Sequence, residues 1–240
     1  VAVLELRDVK RHFGGIRAVD GVTLSIPDGA VVALIGPNGA GKSTLFGLMM
    51  GELELTDGEI LLDGRDLRGC APERRCRLGV GRTFQTPRLF TGLSVRENVQ
   101  IAMLARAGKP RERRAVSDAL AEVGLHEQVA VTAGSLSQGQ RKRLELAMVL
   151  VQDPGILLLD EPTAGMGVQE RATIMELVMG AVRRRGLTMV FTEHDMETVF
   201  AHAERIVVMD RGALVADGPP GVVREDARVQ QIYIGRQRAR

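Results

Sequence analysis

The segment Gly36-Pro-Asn-Gly-Ala-Gly-Lys42-Ser43 constrains this chain more than any other stretch. It follows the continuous apolar run "AVVALIG" and opens a helix predicted from about Lys42 to Met50. Such a run reads as a strand buried on both faces, and strand, glycine loop and helix in that order match G-x-x-x-x-G-K-[ST]. The glycines let backbone N–H groups curl round phosphate oxygens, and the helix N-terminus adds favourable potential for an anion. Lys42 then reaches the β- and γ-phosphates, while the Ser43 hydroxyl is of the kind that joins a Mg²⁺ shell. The spacing therefore predicts that the chain binds a nucleoside triphosphate.

The rest of the chain supplies a fold in which such a loop is at home. Residues 1–30 alternate apolar and polar, as in "LELRDV" and "VTLSI", which predicts an exposed antiparallel edge. "GEILLDG" over 58–64 returns to strand character between glycines. From about 86 to 154 the period becomes helical, in "SVRENVQIAMLARAG", "ERRAVSDALAEVGL" and "QRKRLELAMVLVQ", punctuated by Pro87, Pro110 and Pro154. Beyond it, "GILLLDEP", "LTMVFTEH" and "RIVVMD" read as strands separated by helices of about 15 residues, which is βαβ architecture. "DRGAL" marks a hairpin turn. The expected fold is α/β, with a mostly parallel core sheet, an N-terminal antiparallel β subdomain and an inserted α-helical subdomain. In domain terms this is one unit over 1–240, with 1–85 and 155–240 as core and 86–154 as the helical insertion.

Composition narrows the functional classes. With 45% apolar residues, six Phe and no Trp, the core must be aliphatic, as buried parallel strands are. A net charge of +2 argues against a dedicated nucleic-acid surface. The basic clusters at 111–114, 141–143, 183–185 and 236–240 read as helix surfaces and a solvated tail. No apolar stretch approaches the ~18 residues that span a bilayer, and no signal-peptide pattern opens the chain, so it is expected not to cross a membrane unaided. Cys70 and Cys76 have neither redox nor zinc spacing, which favours a reduced compartment.

Further candidates lie at strand ends. Asp160 closes the apolar run "ILLLD", where a carboxylate can hold the Mg²⁺ shell, and Glu161 points differently and could polarise an attacking water. An acidic pair ending a strand is also common as a solvated turn; the upstream phosphate loop favours the functional reading. His194 ends another strand, whereas His12, His126 and His202 have no comparable context. Gln85 follows a short apolar run, and a neutral amide there can coordinate Mg²⁺ or hold a water. Ser137 is the predicted N-cap of a helix starting near Gly139, which makes a second anion site or simply a cap.

Taken in order, "GPNGAGKST", "TFQ", "LSQGQRKRLELA", "LLLDEPTAG" and "TEHD" resemble the ATP-binding subunit of an ABC transporter over essentially the whole chain. The resemblance implies that Phe13 stacks on adenine and that Gly36, Pro37, Asn38, Gly39, Ala40, Gly41, Lys42, Ser43 and Thr44 hold the phosphates of ATP. It assigns Mg²⁺ to Ser43, Gln85 and Asp160, and catalysis to Glu161, His194 and Gln85. It makes Ser137, Gly139 and Gln140 a signature that covers the γ-phosphate held by a second ATP-binding subunit, identical or not, packed head to tail. Transmembrane permease subunits, served by a periplasmic or extracellular solute-binding protein, are the implied partners, and the cytoplasmic face of the membrane the implied location. The stretch "GVGRTFQTPRLFTGLSVRENV" resembles the branched-chain (hydrophobic) amino-acid importers, with urea/amide importers and the lipopolysaccharide-extracting ATPase as near alternatives. Soluble relatives acting on DNA or ribosomes need a long coiled-coil insertion or two ATPase halves, and a metabolic kinase leaves "LSQGQ" and His194 unexplained. Two departures stand out: Gln138 replaces a common Gly, and Gly167 stands where many relatives carry the aspartate that couples the two sites.

Overall fold

A computed structural model of the chain describes residues 2–83, 87–104 and 113–237. Along the sequence lie β1 (Ala2–Phe13), β2 (Ile16–Pro27), β3 (Val31–Ile35), α1 (Lys42–Met50), β4 (Asp57–Leu62) and β5 (Arg65–Asp66). Then come α2 (Pro72–Arg77), β6 (Val80–Thr83), α3 (Val95–Leu104), α4 (Arg113–Glu122), a 3₁₀ turn at Ala133–Ser135, and α5 (Gln138–Leu150). The remaining elements are β7 (Ile156–Asp160), α6 (Val168–Arg185), β8 (Thr188–Thr192), α7 (Met196–His202), β9 (Arg205–Asp210), β10 (Ala213–Gly218), α8 (Pro220–Glu225) and α9 (Ala227–Gln237). They form two compact units, one of Val1–Arg75 with Thr188–Arg240 and one of Cys76–Leu187.

The first unit holds the antiparallel sheet β2-β1-β4-β5 and the strands β10-β9-β3-β8 in that order. In the antiparallel sheet Leu6 faces Leu24 on one side and Ile60 on the other. Val22, Leu24 and Ile26 are buried while Thr23 and Ser25 are exposed, so the predicted alternation holds. β3 lies between β8 and β9, parallel to both, and every one of its residues is buried. This central position is why its sequence is an unbroken apolar run. β9 and β10 pair antiparallel across the "DRGAL" turn, as expected. Of the two helices of about 15 residues predicted after β7, α6 has 18 and α7 only 7, since the chain must re-enter the sheet at Arg205.

Helix α1 is buried almost all round, with Leu45, Phe46 and Leu48 wholly enclosed. Its C-terminal carbonyls are met by Arg75, which is 4% exposed. The guanidinium donates to Leu48 O at 2.6 Å, Met49 O at 2.8 Å, Leu67 O at 2.9 Å and Cys70 O at 3.0 Å. Burial pushes the Arg75 pKa down from its ordinary value, against smaller upward effects of Cys70 and Asp66, and a helix C-terminus is a favourable place for a cation. Arg75→Met should take the side-chain donor from four buried carbonyls, of which Leu48 O and Leu67 O keep a backbone donor, Gly51 N–H and Cys70 N–H, and Met49 O and Cys70 O lose the guanidinium bond described here. The expected cost is about 2–4 kcal/mol, read as a fall of roughly 5–15 °C in the thermal unfolding midpoint. An unchanged midpoint would show that the carbonyls find other donors.

In the second unit β6 and β7 run parallel, from Val80 opposite Ile156 to Thr83 opposite Leu159. Around them are α3, α4, α5 and α6. The expectation that residues 141–143 form a solvated helix surface is corrected here. Lys142 and Glu145 are 5% and 4% exposed and pair at 3.0 Å across one turn of α5. Each charge is tolerated because the other accompanies it. Arg185 likewise turns inward, donating to Leu150 O at 2.7 Å and to Glu122 at 2.7 Å, so the end of α6 is tied to α4 and α5.

Candidate functional site

In the first unit the phosphate-loop candidates connect β3 to α1. A Cβ on Gly36, whose φ is 153°, would overlap the Met209 carbonyl and sit 3.1 Å from the Ala40 side chain. A Cβ on Gly41, with φ 104°, would overlap the Ala18 carbonyl. The glycines are thus required by the neighbouring strands as well as by the turn. Gly212 N–H donates to Ala40 O at 3.0 Å and Ala40 N–H to Pro37 O at 3.1 Å, fixing the loop from both sides. Lys42, 8% exposed, folds back and donates to Gly36 O at 2.6 Å and Pro37 O at 3.1 Å. Ser43 is exposed and Thr44 half-buried in the first turn of α1. That turn contains no acidic residue, so no carboxylate of its own opposes an anion at the helix N-terminus.

His194 follows β8, and the register fixes its level. Ala33 of β3 lies opposite Phe191 of β8, and Gly36 and His194 each come three residues later. Both therefore emerge at the carboxyl ends of adjacent parallel strands. His194 is exposed, and Asp195 after it caps α7, its carboxylate accepting from Thr198 N–H at 3.1 Å and Thr198 Oγ1 at 2.6 Å. Phe13 ends β1 beside the turn to β2 and is 42% exposed. The Arg11 guanidinium lies 4.5 Å from its ring centroid and also donates to Glu54 O at 2.9 Å. Nearby, Asp20 binds Arg17 at 3.1 Å and His12 at 3.0 Å, and these contacts, Arg17 first, hold its carboxyl below the usual range.

In the second unit Asp160 closes β7 after four buried residues, as its sequence predicts. Arg82 of β6 approaches it at 3.6 Å, a partner the sequence reading did not single out. Glu161 has φ 46°, the left-handed region that a non-glycine residue adopts only under constraint. Ser137 caps α5 as predicted, its Oγ accepting from Gln140 N–H at 3.3 Å. Gln140 returns the bond, its Oε1 accepting from Ser137 N–H at 3.0 Å, which completes a capping box. A serine that accepts through its oxygen keeps its O–H to donate outward. Gly139 is buried, and the first turn of α5 has no acidic residue. Gln138 donates through Nε2 to Ala164 O at 3.3 Å, a link that 26 residues of sequence separation conceal. Gln85 lies outside the described residues.

The chemistry of these groups suits a nucleoside triphosphate with a hard divalent ion. The loop has a lysine and space that a side chain would fill, and Ser43 and Asp160 supply oxygen donors of the kind Mg²⁺ takes. Among the described residues no group of three or more His, Cys, Asp or Glu side chains could hold a metal by itself. None of the described helices is long and apolar enough to cross a membrane.

Comparison with known proteins agrees with this chemistry. The model of the family described as ABC transporter matches residues 19–164. The high-affinity branched-chain amino acid transport ATP-binding protein BraF of Pseudomonas aeruginosa is 38% identical over 97% of this chain and 98% of its own length. LivG of Escherichia coli K12, with the same description, is 36% identical over 97% and 98%. The crystal structure of a nucleotide-free ATP-binding cassette from an ABC transporter superposes with a TM-score of 0.88 at 30% identity, covering 98% of this chain and all of that one. A second cassette, in its ADP conformation, gives a TM-score of 0.88 at 30% identity over 98% and 99%.

Proposed function

Because this chain belongs to the ABC transporter family, we propose that it is the ATP-hydrolysing motor subunit of an importer for branched-chain or other hydrophobic amino acids. The ATPase domain is common to the family; the solute rests on the nearly full-length similarity to BraF and LivG. Import of urea or amides, or lipopolysaccharide export, are the alternatives a transport assay would separate.

In this reading Lys42 and the amides of the Gly36–Thr44 loop bind the β- and γ-phosphates, and Phe13 offers its ring to adenine. Ser43, Asp160 and Gln85 would hold Mg²⁺, which when bound neutralises charge on the phosphates. Glu161 orients a water and receives its proton as the water attacks phosphorus. His194 donates to the γ-phosphate oxygens. Catalysis is then positioning plus charge stabilisation, the means available to enzymes of phosphoryl transfer. The products are ADP and phosphate.

The observation that most supports a two-copy mechanism is the second anion-ready helix N-terminus. Ser137 and Gly139 open α5 with an outward hydroxyl and no acid in the helix's own first turn, the Glu170 carboxylate lying behind Gly139, although the chain already has one such terminus at α1. Two subunits packed head to tail put this terminus of one copy against the γ-phosphate held by Lys42 of the other. ATP then joins the copies, hydrolysis separates them, and the motion drives permease subunits that hold the pair at the cytoplasmic face of the membrane. A solute-binding protein would deliver the amino acid on the opposite face.

Ser137→Arg tests this directly. The expected result is ATP affinity of the single chain within about twofold of wild type, with no ATP-driven dimer by light scattering. The lost cap costs about 1 kcal/mol of stability. ATP-dependent dimers of this variant would overturn the two-copy reading.

A further inference from the structure

We propose that Gln138 is a positioning residue, a strut that couples the signature turn at the start of α5 to the turn carrying Glu161. The proposal rests on the roles given above to Ser137 and Glu161.

The strut is visible in the second unit. The Gln138 side-chain amide donates to Ala164 O at 3.3 Å. Ala164 lies in a compact turn, where its own N–H donates to Glu161 O at 3.1 Å and Met166 N–H donates to Thr163 O at 3.2 Å. Thr163 and Met166 anchor that turn by being buried. Gly165, with φ 75°, admits the amide, for a Cβ there would stand 3.1 Å from Gln138 Nε2. The next signature residue abuts the same region, since a Cβ on Gly139 would overlap the Glu170 carboxylate. Residues 138 and 139 are thus both seated against the segment 164–170.

Glu161 gives this contact its importance. A glutamate at φ 46° keeps that conformation only while its surroundings over-determine it. The bond from Gln138 to Ala164 O restrains the turn from outside, whereas the bonds within the turn cannot fix its place against α5. Gln138 is the first residue of α5 and follows Ser137 directly. A shift of the α5 N-terminus on contacting phosphate would pull on Ala164 O and, through the turn, on Glu161. In a head-to-tail pair Ser137 serves the partner's nucleotide and Glu161 the chain's own, so this one side chain links two sites. A glycine at 138 has no group with which to make the link.

The test compares the full-length wild type with Gln138→Met, which keeps length but not the donor, and Gln138→Glu, which sets an acceptor against the carbonyl. Losing one such bond should lower kcat for ATP about 3- to 10-fold, with KM within about twofold. The Hill coefficient for ATP should fall towards one, backbone amides 164–167 should exchange hydrogen faster, and the unfolding midpoint should not move. Wild-type kcat and cooperativity in both variants would overturn the proposal, as would losses that follow a lowered midpoint. Glu161→Gln, measured alongside, separates this from the underlying reading. Were that variant to turn over normally, the role of Glu161 would fail, and the exchange at 164–167 would still decide whether Gln138 restrains the turn.

Discussion

Glu161→Gln is expected to bind ATP normally, to accumulate as a nucleotide-bound dimer and to hydrolyse ATP about a thousandfold more slowly than wild type. The substitution keeps the shape and reach of the side chain. On the proposed role, what it removes is the negative charge that would polarise the attacking water and receive its proton, a contribution of roughly 10²–10⁴ in rate. Ground-state binding is not expected to weaken, because a carboxylate in the proposed place would repel the γ-phosphate and its loss removes that repulsion. Steady-state phosphate release and size exclusion with ATP read the two halves of the expectation separately. A turnover within twofold of wild type would remove Glu161 from the chemistry and return it to the solvated-turn reading.

Lys42→Ala should act one step earlier, on binding itself. Lys42 is 8% exposed and its ammonium is already held by Gly36 O and Pro37 O, so its position over the loop is fixed before any phosphate arrives. Removing one partner of a buried, hydrogen-bonded charge pair costs about 2–5 kcal/mol, which is roughly 30- to 5000-fold in affinity. Calorimetry with a slowly hydrolysed ATP analogue measures this without interference from turnover. An affinity near wild type would mean that the backbone amides alone hold the phosphates.

The two variants bear on residues that the sequence singles out as candidates, and the reason is local. The strand, loop and helix of residues 30–50 are specified by consecutive residues, so the predicted Lys42–Met50 helix coincides with α1. Ser137 is recognisable as a cap because its partner lies only three residues away. Other features arise from chain segments that meet only in the fold. Arg75 sits in an unremarkable basic stretch, and its four acceptors come from residues 48, 49, 67 and 70. Lys142 and Glu145 look like ordinary surface charges until packing encloses both. The reason for a glycine at 36 lies at Met209 and the partner of Gln138 at Ala164, beyond any sequence period. Periodicity reports which face is apolar. It does not report what a buried polar group touches.

Arg75 carries one more implication. Helix α1 is nine residues long, about 13 Å, with the proposed triphosphate site at the end that carries Lys42 and the other end closed by a buried cation. Any lesion that frees the far end lets the helix slide or fray along its axis, and the amides at the near end lose their aim. In a screen for loss of transport, variants at 75 would therefore be grouped by phenotype with variants of the glycine loop. A geneticist mapping them would draw the nucleotide site one helix longer than its contacts.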